Sequence, residues 1–137
     1  MIYITRRLYF NATHKLWNDN WTPEENKRIF GPCANENWHG HNYTLDITVA
    51  GNINPETGYV MDLKEIKDIA EKNILSKVDH KNLTLDVDFM KGLNPTTEMM
   101  AIKFWEILYP LLKRENASLY EITLYETERQ WVSYKGE

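Results

Sequence analysis

Residues 42–51 read NYTLDITVAG, with Leu45, Ile47 and Val49 at alternate positions and Thr44, Asp46 and Thr48 between them. Side chains on a strand point to opposite faces in turn, so this pattern gathers apolar groups on one face and polar groups on the other. The segment predicts a half-buried antiparallel strand, which needs a second layer against its apolar face. Residues 2–10, IYITRRLYF, are rich in β-branched and aromatic types and predict another strand, although Arg6 interrupts the series Ile2, Ile4, Leu8, Phe10.

Two amphipathic helices are expected to form that layer. In 62–76, DLKEIKDIAEKNILS, the residues Leu63, Ile66, Ala70 and Ile74 fall on one stripe, and Asp62 suits the N-cap. In 96–114, TTEMMAIKFWEILYPLLKR, apolar residues at 101, 104, 105, 108 and 112 mark a buried face, and Pro110 bends or weakens the last turns. A shorter helix starts at TPEEN, where Thr22, Pro23 and Glu25 make a capping box. LYEITLYET (119–127) and QWVSYKG (130–136) close the chain as a hairpin turning around Glu128 and Arg129. The order strand, strand, helix, helix, strand, strand predicts an α+β fold: a four-stranded antiparallel sheet with two helices on one face.

A length of 137 residues suits one domain, 1–137, with its own core. No apolar run approaches a membrane span, and MIYITRRLYF lacks the order of a signal peptide, so a soluble cytoplasmic protein is expected. The lone cysteine is a free thiol, which suits a reducing compartment. A net charge of −4, from 16 Lys plus Arg against 20 Asp plus Glu, predicts neither a nucleic-acid nor a membrane partner. A small anionic substrate needs only a few local cations.

The chemistry concentrates in CANENWHGH, residues 33–41. His39 and His41 are two apart at the start of the second strand and share a face. His14 falls just past the end of the first strand, and joins them if the two strands pair as a hairpin. Three neutral imidazoles with an open fourth position describe a catalytic zinc site better than a closed structural one. Surface histidines without metal are the plain alternative. Cys33 has three readings: a fourth ligand, a thiolate whose pKa the metal lowers, or a small buried hydrophobe. Asp79 and His80, in VDHKNL (78–83), are either a solvated loop pair or a carboxylate-oriented imidazole that activates a thiol or relays a proton. Glu126 ends the series Tyr120, Ile122, Leu124. If that face is buried, the carboxylate needs a planar donor pair such as a guanidine-like heterocycle edge; otherwise it is solvated. Glu98, in NPTTE, fits a first helical turn at the positive end of the dipole.

FNATHKL (10–16), FGPCANENWHGHNY (30–43), VDHKNL (78–83), PTTE (95–98) and YETE (125–128) stand in the order found in 6-pyruvoyl-tetrahydropterin synthases. The chain resembles that family end to end, including the terminal YKGE. The resemblance implies the tunnelling fold, whose subunits assemble into barrels, usually as homohexamers. It implies that His14, His39 and His41 hold one Zn2+ per subunit, that Cys33 is the catalytic thiol, and that Asp79 and His80 are the proton-relay pair. Glu126 would anchor the pterin ring, with Thr96, Thr97 and Glu98 lining its pocket. The implied substrate is 7,8-dihydroneopterin triphosphate and the implied product 6-pyruvoyl-tetrahydropterin, a step of tetrahydrobiopterin biosynthesis.

The residue types match that reaction, in which triphosphate is eliminated and two hydroxyl carbons become ketones. C–H bonds beside oxygen must break, and zinc there stabilises charge developing on those oxygens. Cys33 thiolate is the implied base on one face, and His80, oriented by Asp79, the proton donor or acceptor on the other. The 6-carboxytetrahydropterin synthases of queuosine biosynthesis share the fold, substrate and zinc triad but release acetaldehyde. A shorter gap between cysteine and His-Gly-His is expected in them. Here five residues separate Cys33 from His39 and an extended segment (17–32) precedes, which resembles the pyruvoyl type. Met99 departs from the Asn common in pyruvoyl enzymes. A non-enzymatic pterin-binding or structural-zinc module is the remaining alternative, with Cys33 a ligand or inert. Thiol, Asp-His pair and carboxylate together favour the enzyme.

Overall fold

A computed structural model gives the positions of residues 1–137. Strands β1 (Ile2–His14) and β2 (His39–Gly51) pair antiparallel along their whole length, with Ile2 opposite Gly51 and His14 opposite His39. β1 continues past its expected end at Phe10, so His14 is the last residue of the strand and not a residue beyond it. Between the two strands lies α1 (Pro23–Phe30), where the Thr22 hydroxyl caps the Glu25 amide at 3.2 Å. β4 (Ala117–Thr127) pairs with β2 and with β5 (Gln130–Tyr134), completing the expected hairpin.

The sheet has five strands in the order β3-β1-β2-β4-β5, not four, and it is mixed, not antiparallel. The extra strand, β3 (Lys81–Asn82), runs parallel to β1 beside Ala12 and Thr13. Two residues carry no periodicity, so its partner defines it and no pattern announces it.

Two helices cover one face, as expected, with local differences. α2 (Leu63–Ala70) runs through a π turn (Glu71–Leu75) into α3 (Ser76–Val78). Its buried residues are Ile66, Ala70, Ile74 and Val78, a spacing of four. In a regular α-helix each such step drifts about 40° off the stripe, and the wider π turn takes up the drift. Leu63, at the N-terminal end, is 42% exposed and leaves the stripe. α4 (Thr97–Leu111) is capped by the Thr96 hydroxyl, which accepts from the Met99 amide at 3.2 Å. It buries Met100, Ala101, Phe104 and Leu108, whereas Trp105 is only half-buried. Pro110 sits in the last turn, which ends at Leu111.

The core packs Leu8, Phe10, Tyr43, Leu45, Ile47, Ile122 and Leu124 of the sheet against Ile66, Ile74, Met100, Phe104 and Leu108. Phe10 stacks on Tyr43 at 4.8 Å between centroids and meets Phe104 edge-on at 6.0 Å. Each such fully buried side chain contributes roughly 1.5–3 kcal/mol over an exposed one. A β-bulge changes the expected inner face of β4. Thr48 faces Glu121 and Val49 faces Leu119, so Tyr120 is the extra residue and Leu119 points inward in its place. Tyr120 packs edge-on against Tyr3 instead. The other face of the sheet carries polar cross-strand pairs: Thr5 with Thr48, a bidentate Arg7–Asp46 pair at 2.7 and 2.8 Å, and Asn11 with Asn42. No helix is long and apolar enough to cross a membrane.

Candidate metal centre

The β1–β2 register makes the centre. Pairing of His14 with His39 sets one imidazole from each strand side by side, and His41, two residues on, shares the face of His39. Centroids of the three rings lie 4.5 to 5.1 Å apart. Gly40 between the two β2 histidines faces the other way, where a Cβ would stand 3.2 Å from Thr13 Cγ2. Glu126 arrives from β4. A second bulge, between Tyr125 and Thr127 against β5, lies where the carboxylate turns towards the histidines. One ligand atom from each of His14, His39, His41 and Glu126 lies within 4.8 Å of all the others.

Hydrogen bonding fixes which atoms are free. His14 is 1% exposed, and its Nδ1 lies 2.8 Å from the Pro95 carbonyl. A carbonyl only accepts, so Nδ1 carries the hydrogen and Nε2 keeps its lone pair. His14 Nε2, both nitrogens of His39 and His41 Nε2 are buried without a hydrogen-bond partner. His41 Nε2 stands 2.8 Å from Glu126 Oε1, yet no aligned N–H joins them. Burial lowers the pKa of His14 and His39, and the neighbouring imidazoles act the same way, against the Pro95 carbonyl and Glu126 at His14 and Glu126 at His39. Three converging imidazoles and one carboxylate are a donor set for a divalent transition metal. Leaving several buried polar atoms unpaired is otherwise expensive.

Glu126 Oε2 accepts from the Thr97 hydroxyl at 3.0 Å. Thr97 and Glu98 line a pocket of about 180 Å³ with Glu126, Gln130, Trp131 and Val132, whereas Thr96 serves as the helix cap. Cys33 lies in a 3-10 turn (Gly31–Ala34), its carbonyl accepting from the Leu16 amide at 2.8 Å. It is not one of the converging ligand groups. Its thiol is close enough to feel Glu126, and burial first and that carboxylate second push its pKa up. The Tyr43 hydroxyl is 3.5 Å from His14 Nδ1, and burial drives its pKa well above the usual phenol range.

Asp79 and His80 are joined, Oδ1 to Nδ1, at 3.0 Å. Asp79 Oδ1 also accepts from the Asn11 amide, and the His80 amide donates to the Asn11 carbonyl. His80 takes a left-handed φ of 60° and is 81% exposed. With Asn11, Asn42 and Thr44 it lines a pocket on the face turned away from the helices. Within one chain, then, the pair sits across the sheet from the histidines. Sequence reading missed Pro95, Tyr43, Gln130 and Trp131 as neighbours of the centre. Tyr43 was within reach of it, since 39, 41 and 43 share a strand face. The others meet the site through tertiary contacts alone.

The 6-pyruvoyl tetrahydropterin synthase family model matches residues 3–137. The chain belongs to that family. The 6-pyruvoyl tetrahydrobiopterin synthase of Dictyostelium discoideum is 41% identical over 136 residues, covering 99% of this chain and 97% of that protein. The solved 6-pyruvoyl tetrahydropterin synthase of Caenorhabditis elegans superposes with a TM-score of 0.91 at 36% identity, covering 99% of this chain and 96% of that one. The 6-carboxy-5,6,7,8-tetrahydropterin synthase of Rickettsia typhi is 33% identical over 150 residues, covering 96% and 99%. The matched span includes the histidine–carboxylate cluster.

Proposed function

We propose that this chain is a zinc-dependent lyase that converts 7,8-dihydroneopterin triphosphate into 6-pyruvoyl-tetrahydropterin, releasing triphosphate. The observation that carries the reading is the set of unpartnered imidazole nitrogens converging beside Glu126 in a chain of this family. His14, His39 and His41 would hold the ion, and three imidazoles favour zinc over hard cations that prefer oxygen ligands. Bound zinc supplies positive charge against the negative charge developing on the substrate's side-chain oxygens.

The chain's own groups do the rest. Glu126 accepts two N–H bonds from the pterin's guanidine-like edge, held in place by Thr97, with Glu98 in the same pocket and Thr96 capping the helix that carries both. Burial first and the Glu126 charge second raise the Cys33 thiol pKa, and that pairing offsets the second of these. Cys33 Sγ then takes a proton from the side-chain carbon. His80, oriented by Asp79, moves the proton on the opposite face. Because that pair faces away from its own histidines, the reading draws it from a neighbouring copy, which supports a homohexamer with its sheets closed into a barrel. We take residues 1–137 as one pterin synthase domain, supported by the family match over 3–137, and place it in the cytoplasm.

Incubating zinc-loaded protein with 7,8-dihydroneopterin triphosphate tests the function: triphosphate and 6-pyruvoyl-tetrahydropterin should appear together without acetaldehyde. Acetaldehyde released in step with triphosphate would replace this reading with the 6-carboxytetrahydropterin synthase activity. A second reading, a structural-zinc module, draws on the 2.8 Å approach of Glu126 to His41, which would make Glu126 a fourth ligand. It predicts binding without turnover.

A further inference from the structure

The stretch NPTT, residues 94–97, touches more of the centre than the pocket lining of Thr97 accounts for. The Pro95 carbonyl accepts from His14 Nδ1 at 2.8 Å, and two residues on the Thr97 hydroxyl donates to Glu126 Oε2 at 3.0 Å. Asn94 Oδ1 accepts from the Trp17 amide at 3.3 Å, so the chain leaving His14 is held at a second point. The amide before it, that of Leu16, donates to the Cys33 carbonyl at 2.8 Å. One short segment thus contacts His14, Glu126 and, through Leu16 and Trp17, the turn that carries the thiol. Strand pairing does not make this link, because β2 lies between β1, which carries His14, and β4, which carries Glu126.

The segment is stiff. The ring of Pro95 fixes its φ and removes its N–H. The Thr96 amide donates to the Asn94 carbonyl at 2.8 Å, closing a three-residue turn with Pro95 at its centre. The Thr96 hydroxyl caps α4 through the Met99 amide, and the Thr96 carbonyl accepts from the Met100 amide at 3.0 Å. His14 and Thr97 are 1% and 5% exposed, so solvent does not replace a contact that either loses. A stiff segment transmits position. Fixing His14 on an ion fixes the Pro95 carbonyl, and with it the Thr97 hydroxyl that aims Glu126. Direct attraction works in the opposite sense. Glu126 Oε1 is 2.8 Å from His41 Nε2 and 3.8 Å from His14 Nε2, so a cation among the rings draws the carboxylate away from a pterin.

We infer that residues 94–97 couple the histidine cluster to the Glu126 pocket, so that a divalent ion and a pterin ring each strengthen binding of the other. Pro95 and Thr97 are the positioning residues. The inference rests on the proposed function for the identity of the two ligands, and it adds a linkage that neither set of contacts requires alone. Such linkage is reciprocal: zinc tightens pterin by the factor by which pterin tightens zinc.

The probe is unsubstituted pterin, whose ring has the guanidine-like edge but no side chain to reach the ion. Its affinity for the full chain, zinc-loaded and metal-stripped, is read from pterin fluorescence. Zinc affinity is read by chelator competition with and without pterin. Zinc should tighten pterin roughly fivefold or more, and pterin should tighten zinc by the same factor. Thr97→Val keeps the shape without the hydroxyl and should bring both factors to about one, whereas Thr97→Ser should retain most of the coupling. Pro95→Ala keeps the carbonyl but frees φ, and should lower the coupling with Thr97 and Glu126 intact. If Thr97 serves only the fold or the pterin, Thr97→Val weakens stability or pterin affinity and leaves the coupling factor in place, which would overturn the inference. Independent or mutually weakening binding in the wild type would overturn it as well, and would leave the proposed function standing. Wild type that binds only one of the two ligands would overturn the proposed function and the inference together.

Discussion

Replacing Glu126 by Gln tests the centre most sharply, because the side chain stands between two roles. Its Oε2 accepts from Thr97 at 3.0 Å, and its Oε1 lies 2.8 Å from His41 Nε2. Glutamine keeps the size and one acceptor, so the Thr97 bond can persist, and the change in stability stays within about 1.5 kcal/mol, the value of one ordinary hydrogen bond. The other oxygen becomes an NH2 group. A donor there opposes a pterin N–H and removes the charge that strengthens the remaining bond. Loss of one charge-assisted bond, about 1.5–3 kcal/mol, corresponds to a KM raised roughly ten- to a hundredfold. Zinc content should be unchanged. Because Glu126 is the second cause of the raised Cys33 pKa, after burial, thiol alkylation in the variant should begin at lower pH. KM from triphosphate release, zinc from elemental analysis and the alkylation profile together decide the outcome. A wild-type KM would refute the pterin anchor, and loss of zinc would make Glu126 a ligand.

About one zinc per subunit is expected after metal-replete purification, and the His39→Ala, His41→Ala double variant should lose it; normal retention there would remove the metal assignment. Cys33→Ala should abolish turnover with zinc retained, and zinc loss would make the thiol a ligand. If each site draws His80 from a neighbouring copy, mixing inactive Cys33→Ala and His80→Ala subunits should restore part of the activity, and light scattering should report a hexamer. Failure of both would contradict a shared site. Metal-stripped protein should be destabilised by acid in a defined window. Burial holds His14 and His39 below their usual 6.5, so the folded chain binds those protons less readily than the unfolded chain. Stability is therefore full above about 6.5 and falls as pH drops through the lowered folded values, which denaturant titrations at several pH values can follow.

The sequence by itself determined the α+β class, the two covering helices, the short capped helix and the closing hairpin. Each announces itself within a window of ten or so residues, through the alternation of Leu45, Ile47 and Val49 or the Thr22–Glu25 cap. The His39–His41 pair was legible for the same reason, since strand periodicity puts i and i+2 on one face. What crosses the chain was not legible. The two-residue strand β3 exists only because β1 is beside it. The bulge that exchanges Tyr120 for Leu119 depends on register against β2, which no local pattern records. Likewise, the sequence could name Glu126, Asp79 and His80 but not place them. Glu126 reaches the histidines through sheet order, and the Asp79–His80 pair turns to the opposite face because β3 docks on the outer edge of β1. Local sequence sets what each segment can be, whereas side chains distant along the chain meet only once the register and layering of the sheet are fixed.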